Sequence, residues 1–395
     1  MARSLDGLGR NDLLMSWRLV KNLALAFSVT IAVLACSLAG VLRGATPPAP
    51  TITASIEAPT ATSLPPSPVP PTPTPLPPAI TADTVALLWT YLGFADGELV
   101  RSLAYSPDGT VLAAAVGDEA GIIQLYDSSS GQPLRALPGH QSIVWGLAFS
   151  PDGLLLASAS RDHTAKVWDW HSGSLLQSLV FPDEVTSVAF SPDSRTLAVG
   201  GVDGWPKAAI WTYAVDSWEP LMKLEESWNI PDIAFSPDGT KLVGGGTSRN
   251  VRIWRTSDGA ELSVLYHAGQ VSSIAISPDG STVATGLCEA SEPGDCTRGA
   301  VWLWDLATGR LIQKLSDFPD WVEGVVFSPD GSLVVAGSRD GTVNAYAASD
   351  HRLLLDTALP LGTSPASILA VSISPDGRFL ATGGVGKIGL WKVGP

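Results

Sequence analysis

The chain has 395 residues and a formal net charge of −14, from 24 basic and 38 acidic side chains. Residues 84–395 hold 19 of the bases and 34 of the acids, a net of −15 that argues against nucleic acid and anionic lipid, since both need a basic footprint. Low charge content (16%) and 39 glycines suit a turn-rich, all-β chain, and solubility alone accounts for the acidity.

In chain order, residues 1–22 carry Arg3, Arg10, Arg18 and Lys21, and residues 23–42 carry no charge at all. A helix of that length spans roughly 30 Å, the hydrocarbon thickness of a bilayer. Basic residues before it and, after Arg43, none until Arg101 place 1–22 in the cytoplasm and the rest outside. Three readings stay open here. They are a retained single-pass anchor, a lipoprotein signal in which Val33-Leu34-Ala35-Cys36 resembles a bacterial lipobox with lipidation at Cys36, and a cleaved secretory signal. Residues 44–81 hold thirteen prolines among Thr, Ser and Ala, with Glu57 the one charge, and read as a disordered linker. In polyproline form it would reach roughly 100 Å.

From Val85 the text changes to alternating runs. Val85–Leu92 reads as a lone strand, and then a five-residue phrase appears seven times: YSPDG at Tyr105, FSPDG at Phe149, Phe235 and Phe327, FSPDS at Phe190, and ISPDG at Ile276 and Ile373. Each is a predicted hairpin. Pro presets φ for position i+1 of a type I turn, Asp bonds back to the nearby backbone, and Gly takes φ > 0 without steric cost. Ser194 is the one departure from Gly, where strain of about 1 kcal/mol or a different local turn is expected. The serines fall at 106, 150, 191, 236, 277, 328 and 374, a period of 41–51 residues. Each hairpin is followed by an aromatic-bearing strand, such as Ala165–Asp169 and Ala300–Asp305, and then by a fourth, such as Ser174–Phe181 and Glu261–Tyr266. Four strands at that period predict a seven-bladed β-propeller over residues 84–395.

The chain resembles the WD-repeat family at Gly139-His140, Arg161–Asp169 (RDHTAKVWD) and Val301–Asp305 (VWLWD). In that family an N-terminal strand completes the last blade, and here the seventh unit stops at its third strand, so Val85–Leu92 is expected to close the ring. The resemblance also implies a structural network of His140, Ser160 (or Ser158), Asp162 and Trp168, which organises a blade and binds nothing. It places partner contacts at the start of each innermost strand (Arg101, Trp145, Thr186, Pro231, Ser272, Glu323 and Leu369) and in the loops after the second strands (Arg161, Arg339). Trp228 and Trp321 lie just upstream of their strands, and aromatic and Arg residues are the composition of interaction hot spots.

Cys288 and Cys296 flank the Pro-Gly insertion that makes one interval 51 residues long, and in an oxidising compartment they are placed for a disulfide. No metal or cofactor is implied. None of the five histidines has metal-ligand spacing, and no GxSxG occurs. Gly384-Val-Gly386-Lys-Ile-Gly389 matches GxGxxG but precedes a strand rather than a helix, so it reads as a turn. The expectation is therefore a non-catalytic, extracytoplasmic platform, a monomeric propeller that binds a protein or peptide on its rim. Two alternatives stand beside it: an exported carbohydrate-binding or hydrolytic propeller, with clustered carboxylates beside an exposed Trp, and the external sensor of a membrane signalling complex.

Overall fold

The computed structural model describes residues 85–91, 98–117, 121–292, 295–358 and 367–393, all within the unit spanning 73–395. The predicted cytoplasmic segment, anchor, Cys36 and linker lie outside the described residues. Among the described residues, no helix is long and apolar enough to cross a membrane.

The alternating runs form strands, and the strands form seven antiparallel four-stranded sheets. In blade 1 the strands a to d are Val100–Tyr105, Val111–Val116, Ile122–Asp127 and Pro133–Leu137. Strand b is buried throughout, whereas strand d exposes most of its residues. Blades 2 to 6 repeat this order, each strand pairing with the next in sequence. Blade 7 differs: its strands a to c are Ile368–Ile373, Phe379–Gly384 and Lys387–Val393, and its fourth is Val85–Tyr91. Val85 pairs with Val393 and Tyr91 with Ile388, so the ring is latched by a strand from before the first blade. The GxGxxG match is a hairpin turn between the second and third strands of this blade, with Gly386 at φ 65°.

A buried hydroxyl explains why the five-letter phrase returns. Ser150 Oγ donates to Asp152 at 2.5 Å and accepts the Leu155 N–H at 2.9 Å, while Gly153 N–H closes the turn onto Ser150 O at 2.8 Å. The same serine–aspartate pair recurs in every hairpin. So does the bond to the N–H five residues on. All seven serines are buried, so the turn carries its own partner for the hydroxyl. The hydroxyl of Ser236, with the Thr240 N–H, holds the Asp238 carboxyl down to about 2. The turn glycines lie at φ 70–75°, and Ser194 adopts the same left-handed backbone at φ 60°. Its side chain offsets part of the strain, because Ser194 Oγ accepts the Asp152 N–H of the preceding blade at 3.0 Å.

The core lies between blades. One cluster joins Ala113, Ile123 and Leu137 of blade 1 to Leu156 and Trp168 of blade 2. Another joins Leu112 and Tyr126 of blade 1 to Ala381 and Leu390 of blade 7, which closes the circle. In blade 5 the insertion is not a loop between shorter strands. Strands Thr282–Glu292 and Asp295–Asp305 run on past both cysteines as one long hairpin.

Removing residues before Glu98 would leave Lys387–Val393 as an open edge. A chain begun there is expected to melt roughly 5 °C or more below the full propeller and to self-associate on size exclusion. Scanning calorimetry and chromatography of the two forms check this.

Candidate functional site

Strand a of every blade lines the central channel, and its opening residues meet at one end. Arg101, Trp145, Thr186, Pro231, Ser272, Glu323 and Leu369 surround a single cavity of about 290 Å³, together with Asn229 and Arg339. Two of the seven turn inward to hold the ring. Thr186 Oγ1 donates to Ile230 O at 2.6 Å and Ser272 Oγ to Val322 O at 2.5 Å, each across a blade boundary.

The mouth itself carries two cations stacked on indoles. The Arg101 guanidinium lies 4.6 Å over the Trp145 ring, and that of Arg339 lies 5.3 Å over Trp321. Arg339 Nε also pairs with Glu323 Oε1 at 2.5 Å. Burial pushes the Glu323 carboxyl above its ordinary range, against the pull of Arg339 and Arg101. Among the described residues, none accepts a hydrogen bond from the buried Trp145 Nε1. Arg161 stands exposed on its loop and does not line this cavity. Trp228 is likewise outside the lining, although its neighbour Asn229 belongs to it.

Trp228 is instead half of a surface pair. It is 47% exposed and packs edge-on against Trp205, 68% exposed, with ring centres 5.0 Å apart. Its backbone sits at φ 70°, unusual for a bulky residue, and is held there by its N–H donating to Pro206 O at 2.8 Å. Sequence reasoning passed over Trp205. The signal was present in two tryptophans in two polar loops, but nothing local joins residue 205 to residue 228.

Below the mouth, Asp232 lines the channel where the neighbouring blades have hydroxyls. Ser102 Oγ accepts the Leu147 N–H at 3.1 Å and Ser273 Oγ that of Val325 at 3.1 Å. In blade 4 the Asp232 carboxylate does the same work, accepting Ile274 N–H at 2.7 Å. Burial raises its pKa to about 6 against the hydrogen bonds from Ile274, Ile233 and Ser273. Glu323 and Asp232 are thus each committed within the fold.

The blade-2 network requires one correction. His140 Nδ1 contacts Asp162 Oδ2 at 2.8 Å, but His140 Nε2 contacts Ser158 Oγ at 2.7 Å, and Trp168 Nε1 donates to the same oxygen at 2.9 Å. Ser158, not Ser160, joins the histidine to the tryptophan. Ser160 Oγ donates to Ser142 O at 3.2 Å and accepts the Asp162 N–H at 3.1 Å. Although burial opposes it, bonds from His140, Thr164 and Gln141 hold the Asp162 carboxyl well below the usual carboxylate range. Similar links recur where the sequence was not read for them. His267 Nε2 contacts Thr285 Oγ1 at 2.9 Å, which also accepts Trp304 Nε1 at 3.3 Å, and Trp391 Nε1 donates to Thr382 Oγ1 at 2.9 Å. Cys288 and Cys296 lie within disulfide distance, with Cα atoms 5.8 Å apart.

The model of the WD domain, G-beta repeat matches residues 131–169, 173–205, 218–255, 259–305, 309–346 and 359–392. That of the anaphase-promoting complex subunit 4 WD40 domain matches 85–146. Similar proteins include a Drosophila melanogaster "Protein LST8 homolog", 26% identical over 58% of this chain and 73% of its own length. A Gallus gallus "Serine-threonine kinase receptor-associated protein" is 28% identical over 62% of this chain and 79% of its own. A Medicago truncatula "B-type cell cycle switch protein ccs52B" is 28% identical over 65% of this chain and 50% of its own.

Ser158→Ala strands two buried partners, so it should cost about 2–3 kcal/mol, against about 1 kcal/mol for Ser160→Ala; urea titrations compare them. For Asp232 the folded pKa lies above the ordinary value of 3.8, so its burden on stability is present above about pH 6 and relieved as pH falls towards 4. Asp232→Ser, which installs the hydroxyl used at Ser102 and Ser273, is expected to raise the melting temperature more at pH 8 than at pH 5.

Proposed function

We propose, from the premise that this chain belongs to the WD domain, G-beta repeat family, that it is a non-catalytic platform binding a protein or peptide partner on the channel-mouth face. The observation that carries this is the aromatic surface. Trp205 and Trp228 are exposed together, and the residue after Trp228 lines a mouth that holds Trp145 beneath Arg101, and Arg339, which lies over Trp321. Exposed tryptophan and arginine on one face are the composition of binding hot spots and are costly to leave in water without a use. A relative named as receptor-associated supports the same reading.

The mechanism is rigid display. Bonds between strands of adjacent blades fix the positions of the rim residues before any partner arrives, so little ordering entropy is lost on binding. We further propose that the propeller is held outside the cytoplasm by residues 23–42 and the proline-rich stretch 44–81. The uncharged run with its flanking basic residues supports this, and the Cys288–Cys296 pair suits an oxidising compartment.

A Trp205→Ala/Trp228→Ala double variant removes exposed rings only. It is expected to lower capture of the partner from surface extract at least tenfold while the melting temperature stays within about 2 °C. Equal capture by the variant and the parent would remove the aromatic pair from the binding face.

A further inference from the structure

We propose that the docking edge lies over blades 3 and 4. There a peptide sets an apolar anchor on the Trp205–Trp228 pair and an acidic residue, within about five positions of the anchor, on Arg249. This rests on the reading of the face as a peptide-binding surface. Trp205 stands on the loop between strands Thr196–Val202 and Lys207–Ala214 of blade 3, and Trp228 directly follows that blade's last strand, Pro220–Ser227. Arg249 stands on the loop between strands Lys241–Gly245 and Asn250–Arg255 of blade 4. The loops are bonded together. Asn229 N–H donates to Thr247 Oγ1 at 2.9 Å, and that hydroxyl donates back to Asn229 O at 2.9 Å. Asn229 follows Trp228, and Thr247 is two residues before Arg249. A path of that length keeps the Trp228 and Arg249 Cα atoms within roughly 17 Å, which about five extended residues span.

Charge selects the partner's second group. Arg249 is exposed, and no carboxylate of the described residues pairs with it. The acids of these two blades have other duties. Asp203 holds Lys223 at 2.6 Å, Glu226 and Glu261 both hold Arg252 at 2.7 Å, and Asp232 accepts from Ile233 and Ile274. Lys207 is exposed too, but the register of its strand sets Glu225 one diagonal step away on the same face, which offsets its charge. Arg249 is therefore the cation that an incoming acid meets. In a domain of net charge −15, a broadly acidic partner is repelled, whereas one acid beside an apolar group gains from both features.

The backbone adds an independent observation. Arg249 sits at φ 64° and Trp228 at φ 70°, in the left-handed region that favours glycine. The equivalent loop of blade 6 has Gly341 there, at φ 90°. The closing bond is the same in both: Arg249 N–H donates to Gly246 O at 2.9 Å, and Gly341 N–H to Ser338 O at 3.0 Å. Blade 2 places His163 at φ 66°, a residue type that tolerates this region better. Glycine would thus serve the fold at position 249 without strain, and the arginine is accounted for by what its side chain meets outside the fold. Strained residues held by their surroundings gather at ligand sites.

The test uses the full chain and immobilised octapeptides carrying one Leu, Pro or Phe anchor and one Asp at varied spacing, beside matched series with Asn or Lys in place of Asp. The Asp series should bind roughly three- to fivefold tighter than the Asn series and lose that margin as salt rises. The margin should fade once anchor and acid stand more than about five positions apart. Arg249→Gly should erase the margin while the melting temperature holds or rises, because glycine relieves the backbone; an arginine that served only the fold would give the reverse. Arg249→Lys should keep most of the margin, and Trp205→Ala/Trp228→Ala should lose all three series. An Asp series no tighter than the Asn series, or a margin that survives Arg249→Gly, would overturn the acid assignment and leave the peptide face standing. Peptides that bind the double tryptophan variant as well as the parent would overturn this edge as the site. Failure of every series to bind the folded parent would overturn the peptide reading itself, and this proposal with it.

Discussion

A single blade cannot stand in water, because both faces of its inner strands are apolar. Strand b of blade 1 is buried at every position, yet its sheet has only one residue layer on each side. The burial is completed by the neighbouring blades, and each hydrophobic cluster is shared between two of them, as Ile123 and Leu156 are. A row of such sheets would still leave two sticky ends. Only a circle removes them, and the cluster that joins Tyr126 to Leu390 is where the circle meets. Burial thus dictates closure, closure dictates the channel, and the channel dictates which residues gather at its mouth.

The hydrogen bonds around the channel follow from the same geometry. Where the innermost strands converge, backbone N–H groups of one blade face side chains of the blade before it. Ser102, Ser273 and Asp232 fill that position with an acceptor, and Thr186 and Ser272 donate in the other direction. Buried N–H groups need such partners. The aspartate does the task with a charge that burial disfavours, where blades 1 and 5 use a serine hydroxyl.

Much of this was legible because repetition multiplies a weak signal. One SPDG is an ordinary turn, whereas seven in phase point to the strand count and blade count, and the three-stranded seventh unit points to the closing strand, whose register only the structure supplies. The serine's part in the turn was not legible, since its bond runs to a backbone N–H five residues on. Period-two geometry puts Ser158 and Ser160 on one face of their strand, so pattern alone does not choose between them. The register does, by setting Leu156 opposite Trp168 and Ser158 opposite Lys166. The rim residues were placed by family resemblance, and Arg101, Trp145, Glu323 and Arg339 do meet in one cavity. Arg161 does not join them, although Arg339 does so from the equivalent loop of blade 6. Asp232 was hidden for a different reason: a carboxylate just after a proline reads as turn chemistry, and only the neighbouring blade reveals what it accepts.

The strand that completes blade 7 has an implication in time. Val85 is made before any blade, and its partner Val393 only at the end of the third strand of the seventh. A nascent chain therefore holds a half-finished disc, with the apolar flank of blade 1 and one unpaired edge open until blade 7 has been made. Contacts so distant along the chain form slowly, and an intermediate of this kind is prone to sticking to its own copies. Nearest-neighbour blade packing can proceed early, but the last step is a single long-range event that no local propensity hastens. Chaperone engagement, if it acts on this protein, has its natural window in that interval.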